Sequence, residues 1–192
     1  RRSHSIAYLP ACGECDACVP VRVCTADFQD NRSFRRNRTA NADLQRQIFA
    51  PSATQEQFRL FSDYQDARHG DGDMARMDSR DYRAMMEDTT VETSIFEYRT
   101  ADGKLIAVAL VDALSDGLSA VYSFFDPKED RRSLGTYIVL DLIAEAARMN
   151  LPFVYLGYWV RDCRKMSYKT RFKPIEAFLK GQWTRYEADG QD

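Results

Sequence analysis

A run of apolar residues passes directly into a run of cations between Phe153 and Lys173. The cations are Arg161, Arg164, Lys165, Lys169, Arg171 and Lys173. Tyr155, Tyr158 and Tyr168 are interleaved with this segment. A basic run alone is more often a set of solvated surface charges. Because cations pair with phosphates and aromatic rings stack on bases, the added tyrosines favour a nucleotide-binding site.

Four of the five cysteines lie close together near the N-terminus, at Cys12, Cys15, Cys18 and Cys24. Thiolates in a CxxCxxC spacing can point at one centre, which favours a zinc ion or an iron–sulfur cluster. The predicted ligands are Cys12, Cys15 and Cys18, with Cys24 or an upstream cysteine as the fourth. The alternative is that these thiols are small buried apolar side chains. Cys163 stands alone and has no predicted role.

The composition is that of a globular protein, with 44% hydrophobic and 29% charged residues among 192. No apolar run approaches membrane-spanning length and no signal-peptide core is present, so we expect a cytoplasmic protein with no membrane partner. The net charge of −2 hides basic clusters at residues 32–38 and 161–173 and an acidic middle. This asymmetry permits a local phosphate-binding face but argues against non-specific DNA coating. The chain begins at Arg1, and we expect further residues upstream.

The pattern of the first half of the chain predicts short strands followed by helices, which would position the cysteines and the basic residues. The strands are expected at Ser5–Tyr8 and Val19–Cys24, with a polar connection over residues 28–38. A first helix is predicted at Asn41–Phe49. Thr54 opens a second helix with Gln57 completing a capping box, and a third helix begins at Asp78 or Ser79 and ends near Glu87.

The second half predicts strands around one long helix. The expected elements are strands Thr93–Arg99, Lys104–Asp112 and Leu118–Phe125, a helix that Ser133 caps, and a strand Phe153–Val160. Gly157 interrupts this last strand and indicates either a bulge or a close approach of another backbone or a ligand. Three strands, a helix and a strand are the order of an acyltransferase fold in which the acyl donor lies at the helix N-terminus. The segment Arg132–Gly135 could offer backbone N–H groups to a phosphate.

Segments along nearly the whole chain resemble the aminoacyl-tRNA–protein transferase (arginyltransferase) family, in particular its bacterial aspartate/glutamate leucyltransferase branch. The segments are AYLPACGECDACVPVRV, FQDNRSFRR, LSAVYSFFDP, SLGTYIVLDLIAEA and YLGYWVRDCRKMSYKTRF. Asn31 departs from the family by replacing a serine or threonine. Tyr137 stands where an acetyl-CoA motif would have a small residue, which speaks against coenzyme A.

The resemblance implies an α+β, GNAT-like fold with a small cysteine-containing subdomain at residues 1–40 and a transferase domain at residues 41–192. It also implies the reaction. The α-amine of a protein that begins with Asp or Glu would attack the ester of leucyl-tRNA, and no cofactor is required for this transfer.

The resemblance further implies roles for individual residues. Asp126 is the candidate general base or amine anchor, or else simply a turn residue before Pro127. Arg22, Arg36 and Arg35 are candidates for binding the acidic N-terminal residue of the acceptor. The residues expected to bind the aminoacyl-tRNA are Tyr122, Ser133, Leu134, Gly135, Tyr155, Gly157, Tyr158, Lys165, Tyr168, Lys169 and Arg171.

Three alternatives remain open at this point. The donor could be arginyl-tRNA, because the side-chain pocket cannot be deduced from the sequence. The strand and helix order alone would also permit an acetyl-CoA-dependent N-acetyltransferase. The cysteines and the basic segment could instead form a nucleic-acid-binding module, which would bind RNA in a salt-sensitive way regardless of aminoacylation.

Overall fold

The computed structural model describes residues 2–3, 6–7, 10, 15–161, 163 and 165–186. The helices are α1 (Arg32–Ala40), α2 (Gln55–His69), α3 (Ser79–Glu87) and α4 (Leu134–Arg148). The strands are β1 (Arg2–Ser3), β2 (Ile6–Ala7), β3 (Cys18–Cys24), β4 (Gln45–Phe49), β5 (Thr93–Arg99), β6 (Leu105–Leu114), β7 (Gly117–Phe125), β8 (Phe153–Val160), β9 (Ile175–Leu179) and β10 (Gln182–Arg185). Short 3₁₀ turns lie at Asp73–Arg76, Asp130–Arg132 and Ser167–Arg171.

One mixed sheet of eight strands organises the fold, in the order β10-β9-β3-β8-β7-β6-β5-β4. β7 and β8 are parallel, and the other neighbouring strands of this sheet are antiparallel. The predicted α+β class with a mixed sheet is therefore confirmed. β3 lies inside the sheet between β8 and β9, although it comes from the predicted N-terminal subdomain. The division at residue 40 stays a prediction.

Helices cover the sheet on both faces, because the central strands are apolar on both sides. On one face, α1 and α4 pack over a core that includes Phe34, Leu142 and Val154. On the other face, α2 and α3 cover a second core around Phe61 and Met86. Among the described helices, none combines the length and the apolar character needed to cross a membrane.

The helices with explicit capping signals form as predicted. Thr54 accepts the backbone N–H of Gln57, and the Gln57 side chain accepts the N–H of Thr54, which completes the expected capping box of α2. Asp78 and Asp81 form the same reciprocal pair at the start of α3. The predicted hairpin of β5 and β6 is confirmed as well.

Two assignments before residue 50 are wrong. The predicted polar connection at residues 28–38 contains α1, whose N-cap is Asn31 and whose one buried residue is Phe34. The predicted helix Asn41–Phe49 is instead a C-cap followed by β4, an exposed edge strand paired with β5. Leu44 and Ile48 are four residues apart, so they imitate the apolar spacing of a helix, while Ile48 is 45% exposed in the strand.

β7 and β8 diverge after a short parallel pairing. They pair from Gly117–Ser119 to Phe153–Tyr155 and no further. Just beyond this point β7 skips Val121 in its pairing with β6, and β8 skips Leu156 next to Gly157, whose φ is +73°. Of the two alternatives that the sequence left open at Gly157, the structure shows the bulge. Because a bulge increases local twist, the two bulges explain how the strands separate.

Candidate functional site

Phe125, at the end of β7, joins the elements around the opening between the diverging strands. Its ring centroid is 4.9 Å from that of Tyr64 and 5.4 Å from the guanidinium carbon of Arg68, both on α2. A β-carbon at Gly135 would lie 3.3 Å from the Phe125 ring, so a glycine allows α4 to start close to β7. The ends of β7 and α2 and the start of α4 therefore meet beside this opening.

The first turn of α4 has no side-chain cap. Ser133 is at the N-cap as predicted, but it has a left-handed φ of 50° and its side chain accepts no N–H of the helix. The predicted side-chain cap is therefore absent. The first-turn N–H groups and the positive end of the helix dipole can serve an anion instead. Leu134 is buried, so it can offer a ligand only its backbone.

Gln65 on α2 is a buried polar residue that the sequence reasoning did not single out. Its side chain is 2% exposed, and its Nε2 donates a hydrogen bond of 2.6 Å to the hydroxyl of Tyr122 on β7. Its Oε1 is buried without a hydrogen-bond partner among the described residues. Gln65 lies four residues after Phe61, in the apolar stripe of α2. A polar side chain at an apolar stripe position is the signal that could have identified it.

Lys169, which the sequence analysis assigned to tRNA binding, is buried in the fold. Its Nζ donates to the backbone carbonyls of Leu156, at 2.8 Å, and Tyr158, at 2.5 Å. Leu156 is the bulge residue, and Tyr158 lies opposite Pro20, which has no N–H to donate. The ammonium therefore satisfies carbonyls of the distorted part of β8.

The segment after β8 places other predicted residues nearer solvent. Lys165 is exposed, and Tyr168 is 39% exposed with its ring edge against Phe172. Burial lowers the pKa of His69, and the charges of Lys165 and then Arg68 lower it further. Because Lys165 affects the pKa of His69, the last residue of α2, it lies near the end of that helix.

Arg22 lies on the sheet face opposite α1 and α4, as the alternation with its buried neighbours predicts. It is 9% exposed, and its Nε and Nη2 each approach Glu176 Oε2 at 2.8 Å. The guanidinium carbon lies 3.4 Å from the ring centroid of Phe153 and 4.3 Å from that of Trp183. The predicted binding of an acceptor carboxylate would require that carboxylate to replace Glu176.

Tyr155 belongs to this same cluster on the opposite face. Its hydroxyl accepts a hydrogen bond from Arg22 at 3.1 Å and donates one to Asp116 at 2.7 Å. Burial raises the pKa of the phenol, and the hydrogen bond to Asp116 raises it further. The structure thus groups Tyr155 with Arg22 and not with Ser133.

Arg36 and Arg171 meet Ser133 in a groove between α1, the start of α4 and the Ser167–Arg171 turn. The groove has a volume of about 240 Å³. We call it the arginine groove, and its lining residues are Ser33, Arg36, Asn37, Ala40, Arg131, Arg132, Ser133, Thr136 and Arg171. Arg35 lies outside this lining, and its Nη1 donates to the carbonyl of Asp30 at 2.5 Å.

Asp126 directly follows β7, where the sequence placed it. Its Oδ2 accepts a hydrogen bond of 2.8 Å from Lys104, in the β5–β6 turn, and its Oδ1 accepts the backbone N–H of Lys128 at 2.9 Å. Burial acts to raise the pKa of Asp126, but the hydrogen bonds from Lys104 and Lys128 outweigh it and the net pKa is lowered. The carboxylate is therefore ionised at neutral pH.

The predicted metal site rests partly on Cys12, which lies outside the described residues. Cys15 is exposed and Cys18 is half-buried at the start of β3. Burial raises the pKa of Cys24, and the charge of Glu176 adds to this, which disfavours a thiolate there. In the described part of the chain, no three histidine, cysteine or acidic side chains are grouped to hold a metal.

Two family models match the chain. The model described as arginine-tRNA-protein transferase, C terminus, matches residues 56–179. The model described as arginine-tRNA-protein transferase, N terminus, matches residues 1–36.

Curated relatives that are similar to the chain are named aspartate/glutamate leucyltransferase. The protein of Gluconacetobacter diazotrophicus is 53% identical, over 98% of this chain and 73% of its own length. That of Paramagnetospirillum magneticum is 55% identical, over 97% of this chain and 76% of its own length. That of Rhodospirillum rubrum is 50% identical, over 100% of this chain and 78% of its own length.

Solved structures are similar in fold at low sequence identity. L-PGS from Bacillus licheniformis aligns with a TM-score of 0.61 and 11% identity, over 86% of this chain and 61% of that chain. The C-terminal domain of a putative lysylphosphatidylglycerol synthetase from Agrobacterium fabrum aligns with a TM-score of 0.56 and 12% identity, over 80% of this chain and 50% of that chain.

Proposed function

The chain belongs to the arginine-tRNA–protein transferase family, and from that premise we propose that it transfers leucine from leucyl-tRNA to the α-amine of proteins beginning with Asp or Glu. The observation that carries the donor and the acceptor is the identity of 50–55% over nearly the whole chain with relatives of that name. The partners are then leucyl-tRNA and acceptor proteins with an acidic first residue.

The proposal includes a GNAT-like acyltransferase architecture. The order of elements from β5 to β8, the divergence of parallel β7 and β8, and the start of α4 beside that divergence all support it. In such an arrangement the opening between the strands receives the reacting ester, and the helix start receives the donor. The small cysteine-containing subdomain stays part of the proposal, with zinc or an iron–sulfur cluster at Cys12, Cys15 and Cys18.

The reaction balances without an oxidant or a reductant. The amine nitrogen attacks the ester carbonyl carbon, the bond from that carbon to the ribose oxygen breaks, and the oxygen takes a proton that the amine gives up. An α-amine has a pKa of about 7.7–8.0, so about a seventh is already neutral at pH 7. Positioning two large substrates is the greater requirement, since effective molarity can supply about 7–11 kcal/mol.

Asp126 serves this reaction as an anchor for the incoming ammonium. The sequence left three interpretations of it open: a general base, an amine anchor and a turn residue before Pro127. The Lys128 N–H that its Oδ1 accepts fits the turn residue. Between the two reaction roles the lowered pKa supports the anchor, because a carboxylate with a lowered pKa is a poorer proton acceptor. Tyr122 lines the opening with its hydroxyl held by the buried amide of Gln65. Gln65 is a positioning residue for Tyr122.

Residues at the start of α4 and after β8 hold the donor. The proposed donor contacts are the backbone of Ser133, Leu134 and Gly135 and the exposed side chains of Lys165 and Tyr168. Gly157 and Tyr158 lie on the diverging strand, and Lys169 acts by shaping that strand through its hydrogen bonds to Leu156 and Tyr158.

A transfer assay tests the proposal. Radiolabelled leucyl-tRNA and arginyl-tRNA are each offered with peptides that begin with Asp, Glu or Ala. Leucine incorporation into the acidic peptides supports the proposal. Arginine incorporation would keep the family and change the donor, while protection from thermal unfolding by acetyl-CoA, without any transfer, would contradict the aminoacyl reaction.

A further inference from the structure

The arginine groove carries an unusual concentration of one charge. Its lining contains four arginines and no acidic residue, in a chain of net charge −2. Arg36 and Arg131 are exposed, and neither guanidinium makes a hydrogen bond or an ion pair with any residue that the structure describes. Exposed guanidinium groups with no acidic partner produce a local positive potential that attracts an anion.

The walls of the groove are fixed before any ligand arrives. Asn37 Nδ2 donates to the carbonyls of Arg132 and Ser133, at 3.0 and 3.3 Å, and Asn41 Nδ2 donates to the same carbonyl of Arg132 at 2.9 Å. These bonds tie α1 to the segment before α4. A binding surface that is already ordered loses little entropy when it binds.

The arginines of the groove divide into two kinds. Arg132 forms a bidentate pair with Asp43 and a third bond with Glu129, so its charge is neutralised and it belongs to the wall. Arg171 makes one long hydrogen bond of 3.3 Å to Ser33. Arg36, Arg131 and Arg171 are therefore the cations that face a ligand, and they come from three separate segments of the chain.

We infer that the arginine groove binds backbone phosphates in the acceptor strand of the donor tRNA. This inference rests on the proposed function and adds a binding surface to it. A single carboxylate needs one bidentate guanidinium, whereas three spaced cations suit a ligand with repeating charges. The groove also includes Ser133 and Thr136 at the start of α4, so the phosphates would lie beside the helix start that is proposed to receive the donor. Arg36, which the sequence assigned to the acceptor, would contact the donor.

Binding of fluorescent, uncharged tRNA-Leu at several salt concentrations tests the inference. The groove variant carries both Arg36→Gln and Arg131→Gln. The control variant carries both Arg80→Gln and Arg83→Gln, two arginines of a shallow groove on α3 that also contains Glu87 and Asp88. We expect the groove variant to bind tRNA about tenfold more weakly for each arginine that is lost, which corresponds to the lower end of the free energy of a hydrogen bond to a charged group. The slope of log affinity against log salt should fall by about 1 per lost contact. The control variant should match the wild type in both.

Two outcomes would overturn the inference. The first is an affinity and a salt slope equal to those of the wild type in the groove variant. The second is the same unchanged tRNA binding together with a raised KM of the groove variant for Asp-peptides, which would assign the groove to the acceptor carboxylate. Unfolding midpoints equal to the wild type confirm that the exposed substitutions leave the fold intact. Because the probe carries no amino acid, failure of leucine transfer by the wild type would contradict the proposed function and leave this binding result standing.

Discussion

Two groups of cations in this protein differ in what surrounds them. Arg22 and Lys169 are buried, and each is satisfied by the protein itself, the first by Glu176 and two aromatic rings, the second by strand carbonyls. Arg36 and Arg131 are exposed in the arginine groove and make no such bonds to the described residues. In the sequence Arg22 is flanked by two valines, whereas Lys169, Arg36 and Arg131 each have at least one polar or charged neighbour, so the neighbours alone do not separate the two groups.

The buried cations contribute to the stability of the fold, whereas the exposed cations are available for binding. A buried charge is tolerated only when it is paired or hydrogen-bonded, so a buried cation marks a place where the fold would lose stability without it. An exposed unpaired cation contributes little to stability and is free to meet a ligand. We therefore expect substitutions in the two groups to affect different measurements.

The largest loss of stability is expected for Arg22→Ala. The substitution leaves Glu176 without its partner and removes the stacking on Phe153 and Trp183. Breaking a buried pair costs about 3–5 kcal/mol, and the lower end applies because the Glu176 side chain is 20% exposed. For a chain of this size the melting temperature should fall by about 6–12 °C. Urea unfolding measures the free energy, and affinity for tRNA should be unchanged.

The variant Arg22→Met with Glu176→Leu is the control for this prediction. It removes both charges, so it should recover much of the lost stability. If Arg22→Ala keeps the wild-type stability but loses discrimination between Asp- and Ala-peptides, Arg22 binds the acceptor as the sequence predicted, and the assignment to a structural group is wrong.

Lys169→Met should have the next largest effect on stability. The carbonyls of Leu156 and Tyr158 would lose the ammonium that donates to them, at a cost of about 2 kcal/mol. Lys165→Met is the matched control, since Lys165 is exposed and should change the free energy of unfolding by less than about 0.5 kcal/mol. The opposite result, equal stability with weaker tRNA binding for Lys169→Met, would move Lys169 into the binding group.

Asp126→Asn tests the difference between an anchor and a base. An anchor for the ammonium should raise the peptide KM by about tenfold, which corresponds to about 1.4 kcal/mol, while kcat changes little. A general base would instead lower kcat by about 10²–10⁴-fold. Steady-state kinetics with an Asp-peptide at saturating leucyl-tRNA distinguishes the two.

The same variant has a pH signature in stability. The pKa of Asp126 is lower in the folded protein than in the unfolded chain. The unfolded state therefore binds more protons as the pH falls below about 4, and the contribution of Asp126 to stability is present above that pH and lost below it. Asp126→Asn should make the acid side of the stability profile less steep, and an unchanged profile would contradict the lowered pKa.

The smallest effect on stability is expected for Arg36→Gln. Since Arg36 is exposed and has no bond to a described residue, the free energy of unfolding should change by less than about 0.5 kcal/mol. Urea unfolding measures it beside Arg22→Ala. A loss comparable to that of Arg22→Ala would remove the distinction between the two groups.

Local signals in the sequence were sufficient for some elements and not for others. The capping box at Thr54, the helix start at Asp78, the β5–β6 hairpin and the bulge at Gly157 each depend on side chains or backbone freedom within a few residues. In contrast, β4 is fixed by its long-range pairing with β5, which no local pattern shows. α1 has a local signal in its N-cap Asn31, which the sequence reasoning did not use, and its one buried residue, Phe34, packs in the core with α4.

The candidate site shows the same division. The sequence located the end of β7 and the start of α4, because strand and helix order determine them. The sequence could not show which cations are paired with a carboxylate, because partners such as Arg22 and Glu176 are far apart in the chain. For the same reason it grouped Arg36 with Arg22, although only Arg36 belongs to the arginine groove.

Transfer of leucine from purified leucyl-tRNA to a peptide that begins with Asp tests the central claim most directly. The matched peptide begins with Ala, and arginyl-tRNA is the matched donor. We expect rapid incorporation of leucine into the Asp-peptide and little into the Ala-peptide. Leucine incorporation that ignores the first residue of the peptide, or transfer of arginine in place of leucine, would contradict it.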